Sequence, residues 1–422
     1  MSPTRRDFLK TSLGTATLVS LAPTLPSFLH RTALAAAPRR KAADTVLIVV
    51  QLAGGNDGLN TVVPFDRDEY GRHRDTLRIK AGEVLKFTDS LGFHPRLEGF
   101  RRLYQDGQLS IVQGVGYPNP HGGHFESMRY WQSARPHDAS RQTGWLGRAI
   151  DALAAPDDPT VPAVFVGDTP QPFTLNTERS IVPSLRSLDD GLLRTPPGAG
   201  DSAQYRRRLA DAAELPRAQA QNPLLDFTRR STLAAYANVQ QVEQTAQARR
   251  AARAGEYPDI PLAQMFRTVA QLIRADLGIR IYYTELGGNE PGGFDNHAAQ
   301  RDNHAALLHQ LSQSVTALVD DLKQDQLLDR VLLMTFSEFG RTLAENGRRG
   351  TDHGSAAPMF LVGGKVKGGL VGPHPSLTEL ENGGPKSHTD FRRVYATVLK
   401  RWLGLDSQPI LADEFAPLDL IA

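Results

Sequence analysis

The segment TVLIVVQLAGGND, residues 45–57, constrains the fold most. Its apolar, largely β-branched run has no alternating polar face to show to water. It therefore reads as a strand buried on both sides, the pattern of a central parallel strand. Five further runs follow: LSIVQGVG (109–116), AVFVGD (163–168), IRIYYTELGG (279–288), RVLLMTFSEFG (330–340) and PMFLVGG (358–364). Helical periodicity lies between and after them, in HPRLEGFRRLYQDG, HFESMRYWQS, WLGRAIDALAA, residues 261–278, residues 305–329 and residues 389–404. This alternation predicts an α/β fold, a doubly wound and mostly parallel sheet with helices on both faces. Residues 169–260 interrupt it with Pro-rich loops and a polar helical stretch, read as an insertion or cap within one domain spanning 38–422.

Residues 1–37 stand apart from that domain. Arg5 and Arg6 precede Phe-Leu-Lys, a weakly apolar run follows, and TALAAA (32–37) supplies an Ala-x-Ala cleavage site. That order is expected of a twin-arginine (Tat) export signal. The run holds two prolines and is too short to span a bilayer well, and no later segment reaches the apolar length of a membrane helix. The expected partners therefore include the Tat machinery, and the expected location is periplasmic or secreted.

Removing residues 1–37 takes Arg5, Arg6, Lys10 and Arg31 from 48 basic residues and Asp7 from 46 acidic ones, leaving 44 against 45. The mature chain has no basic excess to bring it to nucleic acid. With no cysteine, thiolate metal sites, disulfides and cysteine nucleophiles are excluded.

Parallel sheets bind ligands beyond the carboxyl ends of their strands. Asp57 follows the first run, His121 and His124 the second, Asp295 and His297 the fourth, and Ser337, Glu338 and Arg341 the fifth; Asp352 and His353 precede the sixth. Four carboxylates gathered with imidazoles require a cation if they are to stay ionised in a dry site. The metal-ligand candidates are Asp57, Asp295, His297, Glu338, Asp352 and His353. Zinc is the first expectation for the divalent metal, with manganese, magnesium or calcium as alternatives. Each residue also has a plainer reading: Asp57 as turn chemistry, Asp295 as a helix N-cap, Glu338 as a salt-bridge partner of Arg341. The phrase DNH occurs at 295–297 and again at 302–304. The first copy reads as functional, the second as solvent-facing helix.

LAGGNDGLNTVVP (52–64), GGHFESMRYWQSA (122–134), TGWLGR (143–148), FDNH (294–297), FSEFGRT (336–342), TDHG (351–354) and TDFRRVYATVLKRWLG (389–404) carry a resemblance over nearly the whole mature chain. The chain resembles the exported domain of unknown function 1501 family, related to the alkaline phosphatase/sulfatase superfamily. The resemblance implies a metal-dependent hydrolase of phosphate or sulfate esters on a small-molecule or polymer substrate. It implies metal positions at Asp57, Asp295 with His297, Glu338, and Asp352 with His353, and a nucleophile position within 123–127. Where such phosphatases carry Asp-His-Gly, this chain has Ser337-Glu338-Phe339-Gly340, one imidazole fewer, with Arg341 alongside. The catalytic candidates are His124, Ser127 and Arg341: Ser127 or His124 as nucleophile, or direct attack by hydroxide. No Ser-x-Pro-x-Arg stretch suggests a serine-derived formylglycine. The alternative to a hydrolase is a non-catalytic exported binding or assembly protein that keeps the fold. A dinucleotide oxidoreductase is disfavoured because LAGGNDG lacks the GxGxxG spacing.

Overall fold

β1, Val46–Leu52, is buried at all seven positions. Its side chains feed two cores: Val46, Ile48, Val50 and Leu52 enter one, Leu47 and Val49 the other. The structure is a computed structural model that describes residues 45–136, 138, 142–154, 162–180, 182, 184–185, 256–276, 278–287 and 293–422. The expected export segment and most of the expected insertion lie outside those residues.

The main sheet has nine strands. After β1 come β2 (Leu109–Gly116), β3 (Ala163–Val166), β4 (Ser184–Leu185), β5 (Ile281–Leu286) and β6 (Val331–Phe336). A hairpin of β7 (Arg341–Glu345) and β8 (Thr351–His353) stands outside the sheet. β9 (Ala357–Gly363), β10 (Gly369–Val371) and β11 (Thr389–Asp390) complete it. The order is β10-β2-β9-β6-β1-β5-β3-β4, with β11 also on β2. Every pairing is parallel except those of β9, which runs antiparallel to both neighbours. The sheet is thus mostly parallel, as expected.

β9 decides where its flanking residues fall. Because it runs back along β6, its first residue lies at the carboxyl edge of the sheet. The β7–β8 hairpin, which ends at His353, therefore starts and finishes at the edge where β1, β2, β5 and β6 end.

Helices cover both faces. α1 (Glu98–Gln105), α4 (Pro261–Arg274) and α5 (Gln300–Gln324) pack on the core fed by Ile48 and Val50. α2 (His124–Ser133), α3 (Trp145–Leu153) and α6 (Phe391–Thr397) pack on the other, with Trp145 stacked on Tyr395 at 4.1 Å. No helix among the described residues is long and apolar enough to cross a membrane.

Candidate metal centre

Four side chains meet at the carboxyl edge: His124 from the first turn of α2, Asp295 and His297 from the segment after β5, and His353 from the end of β8. The four donor atoms lie within 4.8 Å of one another. His297 Nε2 is 2.9 Å from His353 Nε2. Asp295 Oδ1 is 3.2 Å from His124 Nε2, 3.0 Å from His297 Nε2 and 3.3 Å from His353 Nε2.

The far nitrogens fix the tautomers. His124 Nδ1 meets Glu338 Oε1 at 2.8 Å, His297 Nδ1 meets Asp352 Oδ1 at 3.0 Å, and His353 Nδ1 meets the Gly122 carbonyl at 2.6 Å. All three oxygens accept, so each Nδ1 donates its proton, and a ring that carries only that proton turns an Nε2 lone pair inward. Three lone pairs and a carboxylate oxygen then face each other and repel. A proton shared by His297 and His353 would relieve that pair alone. His124 Nε2, buried and without a hydrogen bond, would remain unsatisfied. One cation satisfies all four donors. Bonds of 2.0–2.1 Å at tetrahedral angles place ligands about 3.3 Å apart, close to the four separations given above.

The surrounding charges hold the donors in form. Burial pushes the Asp295 carboxyl up, but the Arg341 hydrogen bond and charge, with His124 and His297, outweigh it and keep the group below the usual carboxylate range. Arg341 Nη2 donates to Asp295 Oδ1 at 2.6 Å, and its buried guanidinium also binds the carbonyls of Gly54, Gly55, Phe294 and Thr351. The Glu338 hydrogen bond raises the basicity of His124, which strengthens Nε2 as a ligand. Burial lowers His353 and so keeps it neutral. Gly54 makes the approach possible: at φ +113°, a Cβ there would stand 2.5 Å from the Asp295 nitrogen.

Residues 110–415 match the family described as "Protein of unknown function (DUF1501)". The chain belongs to the DUF1501 family. All four centre residues fall inside the matched span, whereas β1 and Asp57 precede it. No curated protein matches this DUF1501 chain. Solved structures similar to it include three of low identity. One is the zinc complex of the C-terminal periplasmic domain of EptC from Escherichia coli (10% identity, 77% of this chain and 74% of that one, TM-score 0.33). Another is the lipoteichoic acid synthase LtaP of Listeria monocytogenes (9%, 90% and 76%, TM-score 0.37). The third is a sulfatase from Pseudoalteromonas (12%, 94% and 75%, TM-score 0.36). None is close enough to transfer a residue role.

Within this DUF1501 chain, the sequence candidates divide into layers. Asp295, His297 and His353 stand in the donor group, joined by His124, a catalytic rather than a ligand candidate in the sequence. Glu338 and Asp352 stand behind it, each gripping a histidine; Glu338 also accepts from the Gly54 N–H at 2.9 Å and makes no ion pair with Arg341. Asp57 is held elsewhere. Its carboxylate takes Arg74 at 2.6 and 3.0 Å and Gln300 at 2.5 Å, deep in the protein. Despite the strong upward push of burial, Arg74 holds Asp57 below its ordinary range. Ser127 is fully buried, donates to the Glu338 carbonyl at 2.6 Å and lies 3.1 Å from the Tyr117 hydroxyl, so it faces no open space. Arg341 is spent on Asp295 and four carbonyls. His304 of the second DNH is buried rather than solvent-facing, and it donates from Nε2 to Asn56 Oδ1 at 3.0 Å. Asp295 caps no helix: α5 starts at Gln300, after Ala299.

A cleft of about 670 Å³ opens beside the centre. Its lining includes His124, Asp295 and Glu338 of the centre, the apolar Phe125 and Phe173, and Gln51, Arg129, Gln132 and Glu285. Gln51 and Glu285, adjacent in register on β1 and β5, were not singled out by sequence reasoning. A polar residue at the carboxyl end of each buried run was the available signal.

Proposed function

We propose that this chain is an exported metal-dependent hydrolase of phosphate or sulfate esters. One observation carries the reading: three imidazole Nε2 atoms, each with its Nδ1 proton committed to an oxygen, converge with Asp295 beside an open cleft. His124, Asp295, His297 and His353 would hold a single divalent cation, and an imidazole-rich set favours zinc. When bound, such a cation supplies Lewis-acid stabilisation for a tetrahedral anion and lowers the pKa of water.

The residues do the rest. Arg341 keeps Asp295 anionic and aimed. Glu338, Asp352 and the Gly122 carbonyl keep the rings turned inward. With Ser127 shut beneath Glu338, the arrangement favours attack by water over a covalent serine intermediate. Export rests on residues 1–37, whose arginine pair, apolar run and TALAAA suit a Tat signal.

The test is elemental analysis of the folded, dialysed full chain beside an Asp295→Ala/His297→Ala variant. About one metal per chain in the wild type and none in the variant is expected, with ester turnover lost in parallel. Wild type free of metal after incubation with zinc, manganese and calcium would sink the reading. A metal-loaded chain that cleaves neither phosphate nor sulfate esters would be a binding protein on this fold.

A further inference from the structure

Ester cleavage needs a proton for the departing oxygen, and the metal centre has none to give. His124 has its Nδ1–H bound to Glu338 and its Nε2 turned to the cation position. Asp295 is kept anionic by Arg341. Glu338 accepts from the Gly54 N–H as well as from His124, so it offers no proton of its own. Arg129 holds its proton at any ordinary pH. Among the described residues that line the cleft, this leaves Glu285.

The geometry around Glu285 is that of a built acid. Tyr283 Oη donates to Gln51 Oε1 at 2.5 Å and Gln132 Nε2 donates to the same oxygen at 2.8 Å. Two donors on that oxygen set the amide's orientation, so Gln51 Nε2 points at Glu285 Oε2, 3.0 Å away. Oε1 of Glu285 has no hydrogen bond among the described residues, on a side chain that lines the cleft. Among the described residues no cation is paired with it.

We propose that Glu285 is the catalytic acid of this cleft, giving its carboxyl proton to the leaving oxygen of an alkyl phosphate or sulfate ester. The proposal rests on the hydrolase reading above. The water oxygen bonds to phosphorus or sulfur as the bond to the alkyl oxygen breaks. That oxygen takes the Glu285 proton and leaves as the alcohol. One proton of the water returns to the carboxylate as the inorganic anion departs, so the atoms and charges balance. Burial, followed by the negative charges of Glu338 and Asp168, pushes Glu285 up to about 7. It is therefore divided between acid and base near neutrality, where a general acid works best.

The experiment compares zinc-loaded full-length wild type with Glu285→Gln, which keeps an oxygen for Gln51. The probes are p-nitrophenyl phosphate and sulfate, whose leaving group needs no proton, and n-butyl phosphate and sulfate, whose leaving group does. The variant should lose about 100-fold or more in kcat/KM on the butyl esters and stay within about threefold on the aryl ones. Difference infrared spectroscopy of wild type minus variant should show a carboxyl band titrating near pH 7. An equal fall on both ester types, no fall, or a band titrating below about pH 5 overturns the role of Glu285 and leaves the hydrolase standing. A metal-loaded wild type that cleaves none of the four esters overturns both.

Discussion

Glu338 and Asp352 show how little separates a ligand from the group behind it. Both are carboxylates at the right edge of the sheet, and the sequence places them there. Yet each ends on an imidazole Nδ1, at 2.8 and 3.0 Å, rather than in the donor group. That difference is one side-chain length, and strand spacing does not resolve it. Asp57 was undecidable for another reason. Its partner Arg74 sits in a polar stretch, GRHRDTLR, in which no pattern marks one arginine as buried. A carboxylate that orients a ligating histidine typically contributes 10–100-fold to metal affinity. Glu338→Gln should therefore weaken zinc binding by about that factor in competition with a chromophoric chelator, while the far-UV spectrum is unchanged. Unaltered affinity would mean the Gly122 and Asp352 contacts suffice to set the site.

At the scale of elements, most strands and helices were legible because their apolar periods are long and uninterrupted; β2 and α2 have the boundaries that the sequence suggests. The direction of β9 was not legible, since PMFLVGG carries no mark of antiparallel pairing. The buried face of α5 was legible and misjudged. His304 precedes Leu307, Leu308 and Leu311 by three, four and seven residues, the spacing of a helix's inward stripe. Its ring meets that of His94 at 5.9 Å. Burial lowers His304 to about 4, with Asp57 opposing the shift and Arg74 and Arg341 adding to it, and burial lowers His94 to about 3, where a charge on His304 would add to the effect. Both are neutral when folded, whereas an unfolded histidine binds a proton near pH 6.5. Their stability is thus fully present above pH 6.5 and is lost as pH falls towards 4. The slope is up to about 1.4 kcal/mol per pH unit for each ring. Urea midpoints measured between pH 7 and 4 should fall accordingly, and His304→Gln should flatten the dependence. A wild-type curve that is level across this range would contradict the buried, neutral rings.

Across the whole molecule, the four donors come from three separate stretches of chain: after β2, after β5 and at the end of β8. A cation there joins segments up to 229 residues apart in sequence (His124 to His353). A ligand bound only by the folded state stabilises it by about 2.7 kcal/mol at a hundred times its dissociation constant. Chelation should therefore lower the melting temperature of the wild type by several degrees, and zinc should restore it. The Asp295→Ala/His297→Ala variant should respond to neither. A chelator shift that persists in that variant would place the metal elsewhere.

β1 lies at the centre of the sheet, yet its partners are β5 and β6, paired through Leu47↔Ile281 and Leu47↔Leu332. A ribosome adding about 5–20 residues per second delivers the second partner on the order of 15 s to 1 min after β1 itself. Until β5 is made VLIVVQL has two open hydrogen-bonding edges, and until β6 is made it still has one. No N-terminal fragment stopping short of Phe336 can give β1 both of its partners, so the centre of the sheet forms late in synthesis at the earliest. Until then this buried apolar strand must be shielded by something other than its native neighbours.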